Sequence, residues 1–175
     1  VREGIGDILA EGVFRAAERL GGGAEKYAYH VKGVELYGAD PRGMMGTALS
    51  YAVSMRGGDF TSVYPVPEFR YPEERAEKEF GTRQAVDRMA TEGKGALVRY
   101  CLIVSAIIDS LGICKVPALT IAGNYDLEKE TRLVRALTGL DLTRERLLYI
   151  GERIVHMEKL FNLRFGATSD LDTLP

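Results

Sequence analysis

The stretch that decides the fold is the apolar run Ala96-Leu-Val-Arg-Tyr-Cys-Leu-Ile-Val-Ser-Ala-Ile-Ile-Asp-Ser-Leu111, followed by Gly112-Ile-Cys-Lys115. Its apolar residues recur at three- and four-residue spacing and cover more than one face, which is typical of a helix at the centre of a core. Glycine tolerates the left-handed conformation that closes helices, so we expect this helix to end at Gly112.

Helical periodicity also appears on both sides of this run. Met, Ala and Leu side chains follow the turn Asp40-Pro41, where Asp40 can cap a helix and Pro41 suits its first position. Thr143 can cap the last long helix, whose apolar stripe ends in Phe161 and Phe165. We predict an all-α, multihelical fold of two lobes, with helices at about 4–20, 44–55, 73–79, 82–91, 96–111, 127–137 and 144–165.

The segment 61–80 differs from its surroundings because Pro65, Pro67 and Pro72 forbid a regular helix across it. Loops of this length are usually functional or disordered. Two interpretations stand side by side, a plain surface excursion and a lid.

Composition excludes several classes of protein. Apolar residues make up 46% and charged residues 27% of the chain, which is typical of a folded protein. The net charge of −2 gives no electrostatic footprint for nucleic acid or an anionic membrane. No apolar run approaches the ~20 residues of a membrane helix. The sequence has two cysteines and no secretory leader, so we expect a cytoplasmic protein. The ends at Val1 and Pro175 suggest a fragment of a larger protein.

The richest chemistry lies at the end of the apolar helix. Asp109 places a carboxylate in the last turn, where the helix dipole is already negative, so a compensating group is required. A ligand that donates N–H groups would serve. Cys114 follows on the loop, and Lys115 would favour its thiolate. The bare pattern favours the alternative of a capping Asp and an inert buried Cys, and Cys101 is most simply core packing.

A second candidate for metal binding is the pair Glu152 and His156, which would share one helix face. Two further ligands would be needed, so a solvated helix face is the better interpretation.

These residues resemble those of one family. Asp109-Ser-Leu-Gly-Ile-Cys114 resembles the second DxxGLC pterin-binding motif of the tungsten-containing aldehyde ferredoxin oxidoreductases. Further stretches look like family signatures in the same order: Leu9-Ala-Glu-Gly12, Val31-Lys-Gly-Val-Glu-Leu36, Asp40-Pro-Arg-Gly43, Arg56-Gly-Gly58, Ile150-Gly-Glu-Arg-Ile154, Leu160-Phe-Asn-Leu163 and Asp172-Thr-Leu-Pro175.

The resemblance implies an enzyme that oxidises aldehydes to carboxylates at tungsten or molybdenum held by two pterins. It further implies a [4Fe-4S] cluster, ferredoxin as electron acceptor, and an enzyme that could form a homodimer. Residues 1–56 match the end of the first helical domain and 57–175 most of the second. In this resemblance Asp109 matches a carboxylate that accepts hydrogen bonds from one pterin, and Ile113 matches a residue whose backbone contacts the same pterin. Cys114 matches the fourth ligand of the cluster and is therefore the expected metal ligand.

The sequence also departs from the family pattern. It lacks the other three cluster cysteines, the first pterin motif and the active-site Glu, so we expect the chain alone to be inactive. Phe60 stands where the family has a pocket His, and Asp59 could substitute for it. Two alternatives follow: a non-catalytic helical binding or scaffold module, or a family branch that acts on a carboxylate or an aromatic acyl-CoA.

Overall fold

The computed structural model describes residues 3–121 and 127–175, with the backbone alone at positions 120 and 121. Its α-helices are α1 (Ile5–Leu9), α2 (Val13–Leu20), α3 (Met45–Val53), α4 (Pro67–Arg70), α5 (Glu73–Phe80), α6 (Lys94–Ser110), α7 (Glu128–Thr138) and α8 (Arg144–Arg164). Short 3-10 turns span Ala24–Tyr27, Pro41–Gly43, Phe60–Ser62, Arg83–Val86 and Ser169–Leu171, and a π-helical turn spans Val116–Ile121. Strands β1 (His30–Val31) and β2 (Val34–Glu35) form an antiparallel hairpin. The helical fold class is confirmed.

Helix α6 is the centre of the core, as its sequence predicts. Its buried residues lie on several faces and include Leu97, Cys101, Val104 and Ile108. Helix α8 crosses it closely, and a Cβ atom on Gly151 would lie 2.7 Å from Ile107 Cγ1. A glycine in α8 therefore sets the distance between the two longest helices.

Two predicted helices are shorter than expected. The segment 4–20 forms α1 and α2, separated at Gly12, whose φ of 84° is not helical. The segment 82–91 contains only the turn Arg83–Val86, whose first amides are capped by Thr82. In both places helix-breaking or capping residues interrupt a periodic pattern.

Both interpretations of the segment 61–80 as a surface excursion or a lid are wrong. Val63, Val66, Tyr71, Ala76 and Phe80 all belong to the main core with α6. Two of the three prolines stand at helix starts, since Pro67 opens α4 and Pro72 directly precedes α5. The segment is a folded part of the core that proline breaks into short helices.

A buried ion pair fastens this segment to α6. Glu68 Oε1 lies 2.7 Å from Lys94 Nζ, and both side chains are almost completely buried. Glu68 also accepts hydrogen bonds from the amides of Gly46 and Thr47 at the start of α3, where the helix dipole favours a negative charge. Lys94 donates to two backbone carbonyls. Both charges of this pair thus have partners in the interior.

The apolar stripe predicted for α8 is only partly buried. Leu147 is in the core, whereas Met157, Phe161 and Phe165 are mostly exposed. The second half of α8 therefore presents a group of apolar side chains at the surface. Such a group is distinct from the single exposed apolar residues that are normal on a protein surface. None of the described helices is long and apolar enough to cross a membrane.

Candidate cofactor-binding site

The end of α6 is a well-formed helix stop. The Gly112 amide donates to the Asp109 carbonyl (3.0 Å) and the Ile113 amide to the Ile108 carbonyl (3.2 Å). Gly112 has φ 67°, so this is a Schellman motif with glycine in the left-handed position. Ile113 packs against the core that includes Ile108. The turn therefore has a fixed shape and delivers the next residue to the surface.

Asp109 finds its compensating charge within the chain. The Lys115 ammonium lies 2.7 Å from Asp109 Oδ2 and also donates to the Thr61 carbonyl. The Lys115 side chain is buried, whereas that of Asp109 is 56% exposed. An external N–H donor is thus not required for the helix end, but the exposed carboxylate still has room for one.

The two cysteines lie in opposite environments. Cys114 is exposed directly beyond the turn, so the alternative of an inert buried cysteine is wrong for it. Cys101 is buried in α6 as predicted, and burial raises the pKa of its thiol well above the ordinary value. A neutral buried thiol is a poor metal ligand, because the thiolate is the binding form. Cys114 is the thiol that a metal centre can reach.

The Arg56-Gly-Gly58 stretch before Phe60 packs closely against the β1–β2 hairpin. Cβ atoms on Gly57 and Gly58 would lie 2.3 Å from the Val31 carbonyl oxygen and 2.5 Å from that of Val34. Only glycine lets the chain approach the β1–β2 hairpin this closely. Both glycines are therefore needed for this packing. The link to the 109–115 turn comes from the Thr61 carbonyl, which accepts a hydrogen bond from Lys115.

Asp59 is fully used as a local cap. It accepts hydrogen bonds from the Thr61 amide (2.9 Å), the Thr61 hydroxyl (2.6 Å) and the Ser62 hydroxyl (3.0 Å), and it pairs with Arg56. Burial raises the pKa of this carboxyl, but the hydrogen bonds and the Arg56 charge outweigh that effect and hold it below its ordinary value. Asp59 stays ionised and engaged, so its arrangement does not fit the role of a substitute proton donor.

Phe60 lies within a group of rings. Its centroid is 4.6 Å from that of Tyr37 and 5.6 Å from that of Tyr64. The Tyr64 backbone has φ 53°, which is uncommon for a residue with a side chain. The sequence placed an apolar ring at this position, but neither ring neighbour was predicted: Tyr64 lies four residues later in the same loop, and Tyr37 comes from a separate segment.

Further charges face the turn from α8. Burial raises the pKa of Glu158, on which Arg56, Asp109 and Lys115 all act electrostatically. Arg56 and Glu158 line a cavity of about 340 Å³ together with Met157, Phe161 and Asn162. Glu158 therefore lies in this cavity on α8 and interacts electrostatically with Asp109 and Lys115 of the turn.

The other metal candidate does not assemble. Glu152 pairs with Arg99 on α6, and His156 is exposed on the same helix without a second carboxylate beside it among the described residues. Across residues 3–121 and 127–175, no three His, Cys, Asp or Glu side chains lie close enough together to hold a metal ion. Cys114 can supply one thiolate ligand, and Asp109 one carboxylate acceptor.

Comparison with known proteins shows the family of this chain. The family described as aldehyde ferredoxin oxidoreductase, domains 2 and 3, matches residues 1–175. The chain belongs to the aldehyde ferredoxin oxidoreductase family.

Three relatives of the chain are oxidoreductases of known name. The tungsten-containing aldehyde ferredoxin oxidoreductase of Pyrococcus abyssi is 36% identical over 99% of this chain and 26% of its own length. That of Pyrococcus furiosus is also 36% identical, over 99% of this chain and 27% of its own. The WOR-like subunit of an aliphatic sulfonate oxidoreductase from Pyrococcus furiosus is 33% identical over 94% and 22%. The chain thus spans about a quarter of the length of these relatives.

Proposed function

We propose that this chain is the helical, cofactor-holding part of a tungsten or molybdenum oxidoreductase. The observation that carries the proposal is the position of Cys114, an exposed thiol directly beyond the rigid turn that also presents the Asp109 carboxylate. In this proposal residues 1–56 are the end of a first helical domain and residues 57–175 most of a second.

The residues present fit one side of the cofactor site. Asp109 would accept hydrogen bonds from one pterin through its exposed oxygen, the Ile113 backbone would contact the same pterin, and Cys114 would be the fourth ligand of a [4Fe-4S] cluster. The four residues between Asp109 and Cys114 are fixed by the Schellman hydrogen bonds, so both groups would be held in one orientation.

The pterin-bound metal and the cluster, when bound, supply the two-electron oxidation of an aldehyde to a carboxylate and the onward transfer to ferredoxin. This chain orients them, neutralises the Asp109 charge through Lys115 and places the Phe60 loop beside them. We further propose a cytoplasmic enzyme that forms a homodimer.

A second function within the family is favoured by Phe60. A phenyl ring cannot donate or accept a proton, and Asp59 is engaged by its own loop. A branch that acts on a carboxylate or an aromatic acyl-CoA is the alternative enzyme, and a non-catalytic scaffold is the alternative without chemistry.

Metal analysis of the native protein that contains this chain separates these functions. We expect about one tungsten and about four iron atoms per chain, together with reduction of ferredoxin on addition of an aldehyde. A metal-free folded protein would establish the scaffold. Full metal content with reduction of a carboxylate or thioester, and no aldehyde oxidation, would establish the alternative enzyme.

The isolated 175-residue chain offers a separate check. One thiolate does not replace the four that normally hold a cluster, so we expect neither stable cluster nor pterin binding and no activity. Iron and sulfide reconstitution followed by gel filtration measures this. A stoichiometric [4Fe-4S] species on the chain alone would contradict the assignment of Cys114 as a single distant ligand.

A further inference from the structure

The Lys115 ammonium joins two segments that are far apart in sequence. It lies 2.7 Å from Asp109 Oδ2 at the end of α6 and donates to the Thr61 carbonyl, 54 residues earlier in the chain. The side chain is only 9% exposed, so water competes little for its protons. A lysine has three N–H donors and a flexible stem, which allows one ammonium to serve both acceptors.

The segment at the other end of this link is the loop 59–64. It contains the turn Phe60–Ser62, the Phe60 ring and the left-handed residue Tyr64. A second buried donor, the Ser105 hydroxyl, binds the Val63 carbonyl at 2.8 Å. Ser105 attaches the loop to the middle of α6. Lys115, the residue directly after Cys114, attaches the loop to the turn at the end of α6.

We propose that Lys115 is a positioning residue that couples the 59–64 loop to the 109–115 turn. The coupling itself stands on the two contacts above, and its consequence for a cofactor and a substrate rests on the proposed function. Lys115 engages Oδ2 of Asp109 and leaves the exposed part of the carboxylate for an N–H donor. It thereby fixes the Phe60 ring relative to whatever the turn binds.

Removing the ammonium should release both segments. The Thr61 carbonyl would lose a charged donor, and the Asp109 carboxylate would face the negative end of the α6 dipole with no counter-charge. Glu158 on α8 interacts electrostatically with both Asp109 and Lys115, so its negative charge would further disfavour the unpaired carboxylate. The loop would then keep the Ser105 hydrogen bond to α6 and its own hydrogen bonds with Asp59 and Arg56, but it would lose its link to the 109–115 turn through Lys115.

Hydrogen exchange on the full 175-residue chain tests the coupling directly. We expect Lys115→Met to raise the exchange rate of amides 60–64 about tenfold or more, because a hydrogen bond from a charged group is lost. Lys115→Arg keeps the charge and should raise it less. Lys129→Met, which removes an exposed lysine on α7, is the matched control and should leave these amides unchanged. Unchanged exchange in Lys115→Met would overturn the proposal.

The metal-loaded protein tests the consequence. For Lys115→Met we expect KM for the substrate to rise by a larger factor than kcat falls, and we expect the g-values of the cluster EPR signal to change. In Lys115→Arg, KM and the g-values should lie closer to those of the original protein. A purely structural lysine would lower the amount of loaded protein and leave KM and the signal of the remainder unchanged, which would refute positioning. If the native protein carries no metal, the proposed function fails, while the exchange measurement still decides the coupling.

Discussion

Each end of α6 contributes one member of a pair between a carboxylate and a lysine, and the two pairs differ in how far they are exposed to solvent. At the first end, the Glu68 and Lys94 side chains are 0% and 3% exposed. At the other end, Lys115 is 9% exposed but Asp109 is 56% exposed. The same chemical pair is sealed in one place and open in the other.

The difference separates a structural pair from an available one. Glu68 and Lys94 have all their partners inside the protein, so nothing is left for a ligand to bind. Asp109 has a solvent-facing carboxylate beside an exposed thiol. One helix therefore anchors the core at its beginning and presents binding groups at its end.

Breaking the sealed pair should have the largest effect on stability. Lys94→Met leaves the Glu68 charge buried without its counter-charge, which costs about 3–5 kcal/mol. The free energy of unfolding from chemical denaturation measures this. The control Arg83→Met removes one member of an exposed pair with Glu77, and its effect on the free energy of unfolding should be much smaller, because solvent screens an exposed pair. Equal losses in the two variants would show that burial of the pair does not matter.

The contact between α6 and α8 gives the next largest effect. In Gly151→Ala the added Cβ would lie 2.7 Å from Ile107 Cγ1 and 2.8 Å from the Ile103 carbonyl oxygen, and such overpacking typically costs about 1–3 kcal/mol. Thermal denaturation measures the loss.

Gly95→Ala is the matched control for that variant. Gly95 lies within α6 with no atom near its missing Cβ, and alanine there should gain up to about 1 kcal/mol from helix propensity. If Gly151→Ala were as stable as Gly95→Ala, the contact between α6 and α8 at Gly151 would not be tightly packed.

The open pair should matter little for folding. Asp109→Asn removes a charge that is half exposed, so we expect a loss of about 1 kcal/mol or less in the free energy of unfolding. The same variant should lose tungsten from the native protein, because the carboxylate acceptor is gone. A stability loss as large as that of Lys94→Met would mean that the two ends of α6 are not different in kind.

The Asp172 carboxylate, which pairs with both Lys32 and Lys159, gives a smaller, pH-dependent effect. Burial raises the pKa of Asp172, but hydrogen bonds and charges from Lys159 and Lys32 outweigh it, and its folded pKa lies below the ordinary value of 3.8. Its contribution is therefore present above that value and is lost as the pH falls through the folded pKa. We expect the stability difference between the original chain and Asp172→Asn to shrink as the pH falls below about 4. A difference that stayed constant to acid pH would contradict the shift.

The sequence predicted the long helices because their signals are local. The apolar faces of α6, the Thr143 cap and the glycine stops are all visible within one segment. The burial of 61–80 was not predictable in this way, since proline spacing says where helices break and not what packs over them. Glu68 and Lys94 are 26 positions apart, and before folding each resembles any surface charge.

The site was predictable to a similar extent. The spacing of Asp109 and Gly112 is local, and the turn follows from it. The bare pattern favoured a buried Cys114, whereas the fold exposes its thiol. The sequence assigned the Lys115 charge to its neighbour Cys114, whereas the fold directs it to Asp109 and Thr61. The second acceptor depends on the path of a distant loop, which no local pattern contains.

The most direct test of the account compares the two cysteines in the native protein. Cys114→Ala should lose most of the iron and the EPR signal of the reduced cluster. Cys101→Ala, in the middle of the same helix, should keep both despite a small loss of stability from the core. If Cys114→Ala retained full iron content and an unchanged signal, the end of α6 would not be the ligand-bearing site, and the central claim would be wrong.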